Sequence, residues 1–429
     1  MSKGKVYVVD GARTPFLKAR GKRGEFSASD LAVHAGRALL MRQPFAATDL
    51  DEVIMGCVMP DVDEANIARI IALRLGCGDF VPAWTVQRNC ASGMQAIDAA
   101  RLKIISGESD LILAGGTEAM SRSPLLFRPE MVNWLGGWAG AKTFAQKAKQ
   151  LTKLRPAFFA PIIALLKGLS DPIVGLSMGQ TAENLAYRFK ISRTQMDTFS
   201  MHSHRKVIAA TSNQLMDEIV PIISNSGEVF SADDGVRSDS TVEKLATLKA
   251  FFDRVYGLVT PGNSSQITDG AAMLLLASEK AVKEYNLPIL GTVDDVQWAA
   301  LAPEQMGLGP AYAIPPLLKR NKLKLADIDA WEINEAFAAQ VQANVIALDD
   351  KEFCKDVFNM RSTFGLIPDD KLNREGGAIA IGHPVGASGA RIVLHLLNSM
   401  KRNQEKKGVA SICIGGGQGG AVLLSGVES

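Results

Sequence analysis

"CASGMQAIDAA" (90–100) and "GASGARIVLHL" (386–396) each open on an A-S-G turn and run on as an apolar, helix-like stretch. Upstream, "DLDEVIMG" (49–56) parallels "DIDAWEIN" (327–334), and downstream "LILAGG" (111–116) parallels "SICIGG" (411–416). α/β proteins reuse A-S-G and G-G turns, so a single match would carry little. Three landmarks in the same order predict an internal duplication, with a slightly longer helix–strand connection in the second copy.

The runs "KVYVVD" (5–10), "EVIMGCVM" (52–59) and "DLILAGG" (110–116) read as buried strands. They alternate with helical patterns over 28–42 and 91–106, the signature of a layered α/β fold. The alternation returns after about residue 280. Between the halves, 121–257 reads differently, with Trp134 and Trp138, several prolines and polar stretches such as "SNSGEVFSADDG" (224–235), and reads as an insertion. "GLVTPGNSSQITDGAAMLLLAS" (257–278) returns to strand-like sequence. The expected partition is a first half over 1–120 completed by 258–279, an inserted domain over 121–257, and a second half over 280–429.

A chain of 429 residues holds more than one packed unit. Its net charge of +2 gives no global reason to expect nucleic acid. Cys57, Cys77, Cys90, Cys354 and Cys413 are few, odd in number and widely spaced, with no C-x-x-C. A disulfide framework or a thiolate metal site is therefore not expected. The opening "MSKGKVYVVDGARTPF" lacks the apolar core of a signal peptide, and no apolar run reaches a membrane-spanning length. The expected compartment is reducing and cytoplasmic, with thiols free for chemistry.

Cys90 follows an extended run and precedes a helix, so the positive end of the helix dipole is expected to favour its thiolate. A buried structural cysteine is the competing reading. His383 lies in "REGGAIAIGHPVGASGAR", where glycines admit a close ligand. His34 and His395 lie in helix-like runs and read as packed or surface residues; His202 and His204 read as solvated. Cys413 ends a strand and is followed by Gly415, Gly416 and Gly417, whose N–H groups could meet an oxyanion. Gly415, Gly417 and Gly420 also match the G-x-G-x-x-G spacing of a dinucleotide loop. That fingerprint requires a helix and a later acidic residue, whereas "AVLLSGVES" continues as a strand, so the dinucleotide reading is rejected. Asn334, ending an apolar run in "WEINEAFAA", could hold a water, cap a helix, or both.

Residues 131–170 carry Lys142, Lys147, Lys149, Lys153, Arg155 and Lys167 with no acidic residue, interleaved with Trp134, Trp138 and "AFFAPIIALL" (157–166). Such a segment suits an anionic lipid interface or a partner surface, or else packs within its own oligomer.

Together the motifs "GARTPF", "NCASGMQAI", "GGTEAMS", "SMGQTAENLA", "VTPGNSSQITDGAA", "NEAFAA", "GGAIAIGHPVGASGAR" and "CIGGGQGGA" resemble the thiolase family along essentially the whole chain. The resemblance implies a five-layered αβαβα fold made of two similar halves, with a loop domain inserted in the first. It implies Cys90 as the nucleophile, His383 as its base and Cys413 as the acid/base for the carbon-bound proton. His383 with a water on Asn334 would form one oxyanion hole, and the amides of Cys90 and Gly415 the other. Ser265 and Met178 are implied as contacts to substrate or CoA. CoA is then a substrate, and neither cofactor nor metal is expected.

Two departures stand out against the family pattern. Ser177 replaces a histidine before "MG" that acetoacetyl-type members carry, and Glu375 replaces an asparagine. The basic insertion resembles the β-subunits of trifunctional fatty-acid oxidation complexes, which implies an α-subunit or peripheral membrane contact and a homodimer or larger assembly. The expected activity is thiolytic cleavage of 3-ketoacyl-CoA. The alternatives are a biosynthetic acetoacetyl-CoA-forming thiolase, a decarboxylating condensing enzyme on the same fold, and a non-catalytic CoA- or lipid-binding scaffold. A second cysteine and "NEAF" argue against the condensing enzyme, and three reactive groups on facing turns argue against the scaffold.

Overall fold

The computed structural model describes residues 4–427. Its main sheet has ten strands, nine of them four residues or longer: β1 Tyr7–Arg13, β2 Glu52–Gly56, β3 Ala83–Val86, β4 Leu111–Ala119, β5 Thr268–Ala277, β6 Gly291–Ala300, β7 Ala330–Ile333, β8 Lys407–Ile414 and β9 Gln418–Ser425. The order across the sheet is β7-β8-β9-β6-β1-β5-β4-β2-β3. The two halves meet where β1 pairs with β6, at Tyr7↔Thr292 and Val8↔Gly291.

Each half has the same plan. In the first, β2 runs parallel to β3 and β4, while β4–β5 and β5–β1 are antiparallel. In the second, β7 is parallel to β8, while β8–β9 and β9–β6 are antiparallel. The strand equivalent to β3 is reduced to one parallel bridge, Trp331↔Leu372. Smaller details recur too. The register shifts between Val8 and Asp10 in β1, and between Val293 and Asp295 in β6. Each bulge re-aims a carboxylate. Asp10 accepts from Arg42 and Gln43, and Asp295 from Arg320 and Asn321. Asp51 accepts the N–H groups of Asp110 and Leu111 at the start of β4; Asp329 accepts those of Lys406 and Lys407 at the start of β8. The D-L-D and D-I-D motifs thus do one job twice.

The helices follow their periodic patterns: α1 Ala28–Leu40, α2 Ile67–Arg74, α3 Ser92–Ser106, then α4 Pro129–Gly140, α5 Phe144–Leu151, α6 Ala164–Gly168, α7 Met178–Arg188 and α8 Arg193–Ser212 in the excursion between β4 and β5. The second half contributes α9 Gly309–Arg320, α10 Ala338–Leu348 and α11 Val385–Asn403. Strand residues alternate between two cores, as a pleated sheet covered on both faces requires. Ala272, Leu274 and Leu276 of β5 pack with α3 and α11, whereas Ala271, Met273 and Leu275 pack with α1 and α2. On β9, Val422 and Leu424 face that same inner core, whereas Ala421 and Leu423 join α9 and α10. The layers are therefore α1/α2, first half-sheet, α3/α11, second half-sheet, α9/α10.

The central helices cross on glycine. A Cβ on Gly93 would sit 2.9 Å from Ala390 N and Gly386 O, and one on Gly389 would sit 2.7 Å from Met94 N. The repeated A-S-G turns hence place backbone against backbone. The run 52–59, expected to be wholly strand, ends at Gly56, where a Cβ would meet the backbone of Ser92 and Gly93. Beyond it, the N–H groups of Val58 and Met59 turn to Glu118 rather than to a sheet neighbour.

Candidate active site

Cys90 is shown by a sharp turn. β3 ends at Val86, Asn89 adopts a left-handed φ of 42°, and α3 begins at Ser92. Ser92 Oγ braces the turn, accepting from Arg88 N at 2.9 Å and donating to Asn89 O at 2.7 Å. The Asn89 side chain donates to Gly415 O at 2.8 Å, which ties this turn to the β8–β9 hairpin. Cys90 opens into a cavity of about 400 Å³ lined by Val58, Met59, Leu165, Leu169, Met178 and Gly415, among others. The thiolate expected from the helix dipole alone is not the resting form. Burial pushes the Cys90 thiol up, and the amides of Gly415 and of Cys90 itself, which favour the anion, offset this in part.

Cys413 is the last residue but one of β8 and is 1 % exposed. Burial, with a further push from the charge of Cys90, drives its thiol far above the ordinary range, so it holds its proton. Three residues, Gly415–Gly417, then turn the chain back into β9, with Gly416 and Gly417 at φ of 89° and 80°. A hairpin, not a helix, follows these glycines, which removes the dinucleotide site on structural grounds.

His383 is buried just ahead of α11, two residues before Val385, which lines the cavity. Its Nδ1 lies 2.6 Å from Ser388 Oγ, and that hydroxyl donates to Pro384 O at 3.1 Å. With its proton on the carbonyl, Ser388 can accept from Nδ1–H. The tautomer therefore leaves the lone pair on Nε2, which has no partner among the described residues. Burial and the nearby Arg391 cation lower the imidazole to about 4, so it is a neutral base at physiological pH.

Asn334 follows β7 and is fully buried, with both Nδ2 and Oδ1 unpartnered among the described residues. It is not a helix cap: α10 starts at Ala338 behind Phe337, with no side-chain cap bond. Ser265 sits on the loop before β5, where its N–H donates to Ala336 O; it does not line the Cys90 cavity. Met178 does, as the first residue of α7, and Ser177 caps that helix through Gln180. A larger groove of about 750 Å³ between α8 and α10 contains none of these reactive groups. Among the described residues no cluster of His, Cys, Asp or Glu suits a metal ion, and no helix is long and apolar enough to cross a membrane.

Sequence reasoning missed Ser388, although it stands in the quoted A-S-G turn, and misjudged His204, which it read as solvated. His204 is buried, accepts from Arg237 N through Nδ1, and is lowered to about 4 by burial. His395 is also buried, between Glu218 (2.9 Å) and Glu375 (3.0 Å), and those carboxylates raise it to about 10. Glu375, the departure left without a role, thus pairs with His395 and with Arg402.

A neutral buried imidazole, one cysteine open to a cavity and a second held protonated beside it are groups that an acyltransferase can use. The chain belongs to the thiolase family: the thiolase N-terminal domain matches residues 6–280 and the thiolase C-terminal domain residues 287–426. It is 36% identical over 420 residues to the mitochondrial trifunctional enzyme subunit beta of Homo sapiens, covering 98% of this chain and 88% of that one. A probable acetyl-CoA acyltransferase of Staphylococcus aureus (strain COL) is 37% identical over 426 residues, covering 98% and 99%. Among solved structures, human mitochondrial 3-ketoacyl-CoA thiolase in complex with CoA superposes with a TM-score of 0.85 at 35% identity, over 99% of this chain and 98% of that one. The Bacillus anthracis acetyl-CoA acetyltransferase gives 0.85 at 34% identity over 99% of each.

Proposed function

We propose that this thiolase works in the degradative direction, cleaving 3-ketoacyl-CoA with CoA in fatty-acid β-oxidation. His383 Nε2 takes the Cys90 proton, and the thiolate adds to the 3-keto carbonyl. The C2–C3 bond breaks, its electron pair passes to C2, and Cys413 protonates that carbon to release acetyl-CoA. A second CoA thiol, deprotonated in turn, attacks the thioester and releases the shortened acyl-CoA. The amides of Cys90 and Gly415 are the donors for one oxyanion, and His383 with a water on Asn334 for the other. CoA enters as substrate, and no cofactor is needed.

The observation that carries the degradative reading is the cavity wall. Val58, Met59, Met120, Leu165, Leu169 and Ile173 give it an aliphatic lining suited to an acyl chain longer than acetyl. Ser177, engaged in its helix cap, offers no imidazole there. A rate profile over 3-ketoacyl-CoA chain lengths tests this. Rates that rise beyond the four-carbon substrate are expected, and a maximum at acetoacetyl-CoA favours the biosynthetic alternative.

The basic segment supports a docking role. Trp134 and Trp138 stack at 5.6 Å, and Trp134 bonds Gln150 O, fastening α4 to α5. Val132, Phe144, Leu151, Phe159 and Leu166 remain exposed around Lys142, Lys147, Lys149 and Lys153. A relative named as the beta subunit of a trifunctional enzyme supports a companion subunit as the occupant. Neutralising the four lysines should weaken co-elution with such an α-subunit. Loss of anionic-vesicle binding instead would point to a membrane, and no change in either would leave the segment a packing element.

A further inference from the structure

Glu118 is a fully buried carboxylate that the chemistry above does not use. It sits one residue from the end of β4, opposite Gly270 of β5. Oε2 accepts Val58 N–H at 2.9 Å, Oε1 accepts Met59 N–H at 3.1 Å, and the Cys57 thiol donates to Oε1 at 3.7 Å. The Gly386 amide of α11 also donates to it, and a Cβ on Gly386 would stand 2.9 Å from Oε2. None of these partners is a cation, so the carboxylate is held by backbone dipoles and one thiol.

Those dipoles belong to the walls of the site. Val58 and Met59 line the Cys90 cavity, as does Val385, next to Gly386. The charge of Glu118 also reaches Cys90 and opposes its thiolate. Acyl transfer from CoA to Cys90 forms the new C–S bond as the CoA sulfur leaves with its electron pair, and turns an anionic Cys90 sulfur into a neutral thioester. A fixed negative charge nearby disfavours that anion and so keeps the resting residue a thiol.

We propose that Glu118 is a positioning residue of the acyl-transfer site: it pins the Val58–Met59 wall and the Gly386 turn, and its charge holds Cys90 in the thiol form until the base takes the proton. This rests on the thiolase reading for its purpose, though not for the Glu118–Cys90 coupling itself. The groups bearing on that coupling are Cys57, acted on in turn by Glu64, from the β2 side, and Cys90 ahead of α3. α11 offers the Gly386 amide and β5 the uncharged Gly270. Burial lifts Glu118 to about 7 against the pull of its four donors, so its charge varies across the neutral range.

The test is the rate of Cys90 alkylation by iodoacetamide against pH, on the full-length protein without substrate. Wild type should show two inflections, the lower one near neutrality. Glu118→Gln should lose the lower inflection and alkylate faster at pH 7, by roughly tenfold for a one-unit fall in thiol pKa. An unchanged alkylation profile in folded Glu118→Gln overturns the proposal. If that variant does not fold, a single inflection in wild type overturns it instead. A wild type that alkylates as expected but never acylates breaks the thiolase reading and leaves the coupling standing.

Discussion

Ser92 and Ser388 occupy the same place in the two halves, each the S of an A-S-G turn at the start of a central helix, and they hold different things. Ser92 binds only backbone, Arg88 N and Asn89 O, and so fixes the turn that shows Cys90. Ser388 binds backbone on one side, Pro384 O, and an imidazole on the other, His383 Nδ1. The duplicated scaffold was kept, and one hydrogen bond of four was redirected from the chain to a side chain. That change separates the turn that carries Cys90 from the turn that carries His383.

Removing the reacting groups sets the scale. Cys90→Ser should abolish acyl-enzyme formation, a loss on the order of 10⁴-fold or more, read by intact-mass spectrometry. Normal acylation would end the nucleophile assignment and with it the contrast between the turns. Cys413→Ala should still accept an acyl group yet lose exchange of the α-proton of acetyl-CoA, by roughly 10²–10⁴. Unimpaired exchange would place that acid/base elsewhere.

The serines test the contrast itself. Ser388→Ala should cut the acylation rate about tenfold, because Nδ1–H loses its acceptor and the tautomer is no longer fixed. Ser92→Ala should cost about 1 kcal/mol of stability with a smaller kinetic effect. Equal kinetic losses in both would mean that the two hydroxyls do the same job.

The smallest effect on acyl transfer is expected at His395, on the same helix as Ser388, where the readout is stability. Its folded pKa near 10 lies above the ~6.5 of an exposed histidine. Its pairing with Glu218 and Glu375 is therefore fully stabilising below about pH 6.5 and is lost as pH rises through about 10. The Tm gap between wild type and His395→Gln should be widest at pH 6 and narrow toward pH 10; a gap that grows with pH would mean His395 is buried neutral.

Where side chains repeat along one strand or helix, the sequence was readable. The strands at 5–10 and 110–116, the helices at 28–42 and 91–106, and the paired turns all rest on local periodicity and recurring motifs. The cysteine and histidine positions were readable from their turns and from the family motifs. What escaped depends on partners far away in sequence. Glu218 reaches His395 across 177 residues, and nothing near His395 announces two carboxylates. His204 looked polar because its neighbours are, but the chain around 237 covers it. The sign of the Cys90 shift escaped for a related reason: the helix dipole is visible in sequence, whereas the depth of burial opposing it is not.

The glycine crossing of α3 and α11 has a mechanical meaning. Cys90 is delivered by one half of the molecule and His383 by the other, so their separation depends on how the two halves are held together. Side-chain packing would let that separation wander as rotamers hop. With Gly93 and Gly389 the halves touch through main-chain atoms, whose positions no rotamer can change. The crossing acts as a gauge block between the halves, and its tolerance is that of the peptide unit.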